Sequence, residues 1–368
     1  MPLQCRLSPP DQSWLIGSDF DKDPVAHSGI ANQWLNRGDF HKEDSLEYKE
    51  IQELIVRPVL VTHDCGNPLM IKQIQGVIPV VHTPFLENGV MDKDSLYRQL
   101  DWACSLEIDG ICTGMVSELL RLSDQERDTL HQWIGAFDRG ERSFVASVGA
   151  ESTAQAVAYA QQARESGADA VMAIPPTKQA LAPEQLLEYY SSILQEGGLP
   201  VIVQDASGYV GNEIPLKVSQ QLFAEFGSQQ IMFKPEANPM GPRLSLLRDA
   251  TNREARIFEG SGGISLMDSY HRGITGTIPG MEFLPQVLKV WQALEHNAVE
   301  EAYEHYLPLC ALVSLQLQAG LDGFLAIEKY MMKRQGLFAT DMRREPIVWR
   351  MDEETRHELE RLLALINY

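Results

Sequence analysis

A lysine ends the apolar run Ile231-Met232-Phe233-Lys234, and Pro235 and Glu236 follow at once. An amine held among apolar side chains loses hydration in its charged form, which lowers its pKa and leaves a nucleophile able to attack a ketone. The alternative is a rim lysine ion-paired to Glu236, and the string alone favours neither. Three other segments place polar groups after apolar runs. Gly114-Met115-Val116-Ser117-Glu118 offers a tight turn, backbone N–H groups and a hydroxyl that could cradle a carboxylate, or else a plain loop with Ser117 capping a helix. Gln204-Asp205-Ala206-Ser207-Gly208 brings an amide and a carboxylate that could orient a hydroxyl or move a proton, or else close an Asx turn. Gly260-Ser261-Gly262-Gly263 is rich enough in glycine for a ligand to approach its backbone, although such turns also arise for geometry alone. It lacks the Gly-Lys-Ser/Thr ending of a nucleotide loop.

These segments need elements to hold them. From Gly76 onward, short apolar runs alternate with stretches of helical period. The runs are Val77 to Val81, Gly110 to Thr113, Ser143 to Val148, Ala170 to Ile174, Pro200 to Gln204, Ile231 to Lys234, Arg256 to Gly260 and Gly273 to Ile278. Continuous apolar runs are the pattern of parallel strands buried on both faces. Helix starts lie between them: Asp92, the capping box Ser123 to Glu126, Ser152 with Gln155, and Pro183-Glu184. Eight such units, with no glycine-rich dinucleotide fingerprint after the first, predict an α/β fold of the TIM (β/α)₈ barrel type over residues 75–300. Residues 1–74 read as an irregular arm with short helices, in which Trp14 and Trp34 could dock, and 301–368 as a C-terminal helical extension. A barrel carries its active site at the C-terminal ends of its strands, where the four polar segments fall.

With 31 Lys and Arg against 51 Asp and Glu, the formal charge of −20 disfavours nucleic acid and anionic membranes as partners. The run His305 to Leu321 falls short of a bilayer span, and the N-terminus lacks a basic start before an apolar core, so a cytoplasmic location is expected. Five scattered cysteines without a C-x-x-C pair predict reduced thiols. His63-Asp64-Cys65 has no second cluster and reads as a loop, so neither a metal nor an organic cofactor is expected.

The spaced motifs carry a resemblance. Gly76 to Phe85 with Asn88-Gly89-Val90-Met91-Asp92, the Gly114 to Glu118 string, Phe233-Lys234-Pro235-Glu236, and Glu328-Lys329-Tyr330 through Gly336 resemble the dihydrodipicolinate synthase / N-acetylneuraminate lyase family. The resemblance implies a TIM barrel, a pyruvate-like 2-keto acid bound covalently to Lys234, and a homotetramer or homodimer. Two departures stand out. Met115-Val116 replaces the usual Thr-Thr pair, which leaves carboxylate binding to Gly114, the backbone at Val116, and Ser117. Gln204 stands where the family carries a catalytic tyrosine, and no tyrosine lies between Pro175 and Gln185.

The departures look more like the sugar-acid dehydratase branch, such as 2-keto-3-deoxy-L-arabonate dehydratase. The expectation is a Schiff-base-forming lyase with Lys234 as nucleophile and Gln204, Asp205 and Glu236 in catalytic positions. Ser117 is a further candidate for proton transfer, and Gly114, Val116, Ser117, Glu118, Gly260, Ser261 and Gly262 would bind substrate. Aldol cleavage and the dihydrodipicolinate synthase condensation are the alternatives within the family. A barrel that has lost catalysis and binds a small acid is the alternative outside it.

Overall fold

In the computed structural model, which describes residues 72–366, eight short parallel strands alternate with helices. The strands are β1 (Gly76–Val77), β2 (Gly110–Cys112), β3 (Ser143–Ser147), β4 (Ala170–Ala173), β5 (Val201–Asp205), β6 (Ile231–Pro235), β7 (Phe258–Glu259) and β8 (Gly276–Thr277). Five of them pair in the order β2-β3-β4-β5-β6 and three in the order β1-β8-β7. Parallel bridges Val80↔Cys112 and Phe233↔Ile257 join the two ladders, so the barrel closes. Each expected apolar run overlaps one of these strands, with ends that differ by a few residues: β1 begins one residue before its run, and β5 and β6 each end one residue beyond theirs.

Alternation along each strand sorts side chains into two cores. Ile78, Val80, Cys112, Val145, Met172, Ile202, Met232 and Phe258 fill the barrel interior. Val201, Val203, Ile231 and Phe233 face the surrounding helices. The helices of the barrel layer are α1 (Lys93–Cys104), α2 (Asp124–Ala136), α3 (Thr153–Glu165), α4 (Pro183–Gly197), α5 (Leu216–Gln230), α6 (Met240–Ala250), α7 (Leu266–His271) and α8 (Leu284–Glu295). Their starts follow the sequence signals. Asp92 accepts the amides of Asp94 and Ser95, Ser123 and Glu126 form the reciprocal box, and Ser152 accepts the amide of Gln155. Each such cap contributes about 1 kcal/mol.

Beyond the eighth unit come α9 (Val299–Gln316), α10 (Gly320–Arg334) and α11 (Glu353–Leu365), with a 3₁₀ turn at Leu317–Ala319. By length and composition, the stretch Val299–Arg334 is long and apolar enough to cross a membrane, which corrects the reading that this run falls short. Half of its most apolar window is buried within the fold. Leu309, Leu312 and Val313 of α9, and Phe324, Ile327 and Met331 of α10, belong to the same core as the barrel helices. The arm expected over residues 1–74, except 72–74, and the His63-Asp64-Cys65 loop lie outside the described residues. Cys104, Cys112 and Cys310 are free thiols, and burial pushes that of Cys112 up to about 12.

Candidate active site

Inward alternation places Gln204 on β5 and Lys234 on β6 side by side, partners in the strand register. Both are buried. The chain turns at Pro235 and brings Glu236 back over them. Lys234 Nζ donates to Glu236 Oε1 at 3.1 Å, and Gln204 Nε2 donates to Glu236 Oε2 at 2.6 Å. Lys234 therefore combines both sequence readings, buried and ion-paired to Glu236. Burial pushes the Glu236 carboxyl above its ordinary range, opposed by the Lys234 charge and the Gln204 hydrogen bond. A carboxylate with raised proton affinity in contact with an amine can take a proton from it. Gly260 makes room for the pair: a Cβ there would lie 2.2 Å from Lys234 Cε and 2.6 Å from Glu236 Oε1.

A pocket with about 490 Å³ of empty volume opens beside this cluster. Gly114, Met115 and Val116 line it from the loop after β2, Gln204, Lys234 and Glu236 from the strands, and Gly260 and Gly262 from the loop after β7. Tyr209, Phe324 and Glu328 complete the wall. The structure thus brings seven of the eleven residues singled out from sequence to one cavity: Lys234, Gln204, Glu236, Gly114, Val116, Gly260 and Gly262.

The remaining four do not line it, which corrects the roles expected of their side chains. Asp205 follows Gln204 on the strand and so points outward; Ser207 and Ile214 donate to its oxygens, and it faces a groove with Val203, Ile214 and Phe233. That is the Asx turn. The Ser117 hydroxyl accepts the Gly114 amide at 3.1 Å and donates to the Val81 carbonyl, fastening the turn after β2. Glu118, left-handed at φ 60°, forms a 2.7 Å ion pair with Lys329 of α10 and accepts the Arg344 amide. Ser261 turns its hydroxyl and amide onto Glu259 and accepts the Ser265 amide, bracing the glycine-rich turn.

Tyr209, Phe324 and Glu328 were not among the residues expected to line the site. Tyr209 lies five positions after Gln204 and packs edge-on against Phe324, with ring centroids 5.9 Å apart, so a phenol enters the pocket by a different route. The sequence signal for Glu328 is a carboxylate inside the buried helical stripe Phe324, Ile327, Met331. Behind it sits His82, whose Nδ1 is 3.4 Å from Glu328 Oε2 and whose Nε2 is 3.4 Å from Glu282 Oε2. By residue type these three could ligate a cation. However, the Met281 amide donates to His82 Nε2 at 3.1 Å, which puts the ring proton on Nδ1 and leaves no lone pair for a metal.

Comparison with known proteins bears on the whole described region. The chain is 28% identical to the L-2-keto-3-deoxyarabonate dehydratase of Azospirillum brasilense over 77% of its own length and 92% of that protein. It is 23% identical to the 4-hydroxy-tetrahydrodipicolinate synthase of Methanococcus maripaludis over 66% of this chain and 84% of the relative. The crystal structure of dihydrodipicolinate synthase from Rhodopseudomonas palustris superposes with a TM-score of 0.72 at 23% identity, covering 79% of this chain and 97% of that one. That likeness establishes the TIM-barrel fold. Residues 73–366 match the model of the dihydrodipicolinate synthetase family, and the chain belongs to that family.

Proposed function

We propose that this protein is a Schiff-base-forming lyase that dehydrates a 2-keto-3-deoxy sugar acid through Lys234. One observation carries the reading: a buried lysine faces the pocket with Glu236 on its amine and Gln204, in place of a tyrosine, holding Glu236. Glu236 takes the amine's proton and Lys234 attacks C2 of the keto acid. Glu236 returns that proton to the carbinolamine hydroxyl, which leaves as water; the resulting iminium acidifies C3, and Glu236, again a carboxylate, removes the C3 proton. The substrate carboxylate lies along the backbone of Gly114 to Val116, because Met115 and Val116 carry no polar side chain. The likeness to the Azospirillum dehydratase, spread over nearly all of that protein, supports this subtype. A second reading, aldol cleavage or condensation, is favoured by the Tyr209 phenol in the pocket.

Borohydride trapping with pyruvate and with a 2-keto-3-deoxypentonate, read by intact mass and peptide mapping, tests the proposal. The expected result is an adduct on the peptide bearing Lys234, absent in Lys234→Ala, with no pyruvate released from the pentonate in a lactate dehydrogenase assay. Pyruvate release would turn the reading to aldol cleavage. A folded protein that forms no adduct with either compound would leave it as a binder of small acids.

A further inference from the structure

Dehydration needs two proton transfers. A base takes the C3 proton, and an acid must protonate the C4 hydroxyl so that it leaves as water. Glu236 supplies the base, yet its oxygens already receive hydrogen bonds from Lys234 and Gln204. Glu259, the next carboxyl along the barrel rim, is also occupied: Ser261 donates to one oxygen and Thr277 to the other. Glu236 is committed to the Lys234 amine and the C3 proton, and Glu259 has both oxygens engaged as acceptors. Glu328 differs. It lines the same pocket, is 1% exposed, and neither carboxyl oxygen has a hydrogen-bond partner among the described residues.

We infer that Glu328, reaching in from α10, is the general acid that protonates the leaving C4 hydroxyl. The inference rests on the dehydratase reading above. In the step, the C3–H electron pair becomes the C3=C4 bond while the C4–O pair departs with oxygen. That oxygen takes the Glu328 proton and leaves as water, and Glu328 becomes a carboxylate. Hydrolysis of the unsaturated iminium then frees Lys234. The surroundings suit a neutral acid. Burial and the nearby Glu282 and Glu118 carboxylates raise its pKa well above the ordinary range, opposed by Lys329. Lys329 itself is taken up by Glu118. His82 stands directly behind, between Glu328 and Glu282.

Two reactions separate this role from a structural one. Exchange of the pyruvate methyl protons in deuterium oxide needs only Lys234 and the base. Dehydration of a 2-keto-3-deoxypentonate needs the acid as well. Glu328→Gln, of nearly the same shape, is expected to keep borohydride trapping and methyl exchange within about threefold of wild type while kcat for dehydration falls by about 10²-fold or more. A 4-fluoro analogue, whose leaving group needs no proton, is expected to recover most of the lost elimination. If the Gln variant does not fold, Glu328→Asp, which keeps the acid but shortens its reach, should lower elimination selectively with exchange unchanged. Exchange and dehydration falling together, dehydration unchanged in the variant, or wild-type turnover abolished by a chelator and restored by a divalent cation would each overturn the assignment. A wild-type protein that forms the adduct but does not dehydrate the pentonate would defeat the dehydratase reading itself, before any variant is made.

Discussion

Two lysines lie buried near the mouth of this barrel, and their surroundings differ in one respect that matters. Lys329 is fully enclosed. Its amine pairs with Glu118 at 2.7 Å, donates to the Thr83 carbonyl, and sits 4.7 Å from the Phe85 ring centroid and 5.7 Å from that of Phe338. Lys234 has a single carboxylate partner at 3.1 Å, and empty volume lies beside it. Burial lowers the pKa of Lys329, against the pull of Glu118, without making it a nucleophile, because no ketone can reach it. Access to a cavity, more than burial, is what Lys234 has and Lys329 lacks.

That contrast can be broken from both sides. Lys329→Met leaves Glu118 buried without its counter-charge and is expected to destabilise the fold by about 3–5 kcal/mol in urea unfolding. The double variant with Glu118→Leu should recover much of that loss; if it does not, the pair is not what fastens α10 to the loop after β2. Lys234→Ala should cost only about 1–2 kcal/mol, because Gln204 still holds Glu236 and the pocket admits water, while the trapped adduct disappears. Equal destabilisation by the two substitutions would erase the distinction. Gly260→Ala sharpens it, since the added methyl must push Lys234 aside. Adduct formation should slow by about 10²-fold with little change in the melting temperature.

The smallest effect concerns pH. Glu328 holds its proton well above the ordinary 4.5, so the folded state keeps a proton that the unfolded chain has released. Stability from this group is complete below about 4.5 and is lost as pH rises through the folded pKa. Thermal melts from about pH 5 to about pH 8 should therefore show wild type losing ground to Glu328→Gln. A constant difference would mean that Glu328 is already ionised in the folded protein at the bottom of that range, so that burial does not hold its proton.

The barrel was legible because its strands are apolar on both faces and its helices open on strong caps such as Ser123 with Glu126. The same property hid which face each strand residue takes. Alternation runs inward through Ile202 and Gln204 and outward through Val203 and Asp205, and a run of apolar residues does not announce that phase. Asp205 therefore has the sequence character of a catalytic carboxylate while its side chain lies on the outer face. Ser117, Glu118 and Ser261 have the polar character of binding residues, yet each satisfies a turn or a neighbouring helix. Glu328 carries only a share of the resemblance and Phe324 none, with no role at the site for either, because α10 lies outside the repeating units and nothing local ties it to the Lys234 strand.

Glu328 and Lys329 are neighbours in sequence but serve opposite ends, one at the cavity and one in the niche with Phe85. Successive residues of a helix project about 100° apart, so the angular setting of α10 decides which of the two meets the cavity. Deleting one residue from α10 between Leu321 and Glu328 would turn the two relative to the segment before them by about that angle, away from both partners. Insertions and deletions there should be tolerated far less than in the turn at Leu317–Ala319, which can absorb a change in length before the helix begins. The reading frame of this helix thus decides which of its side chains the pocket receives.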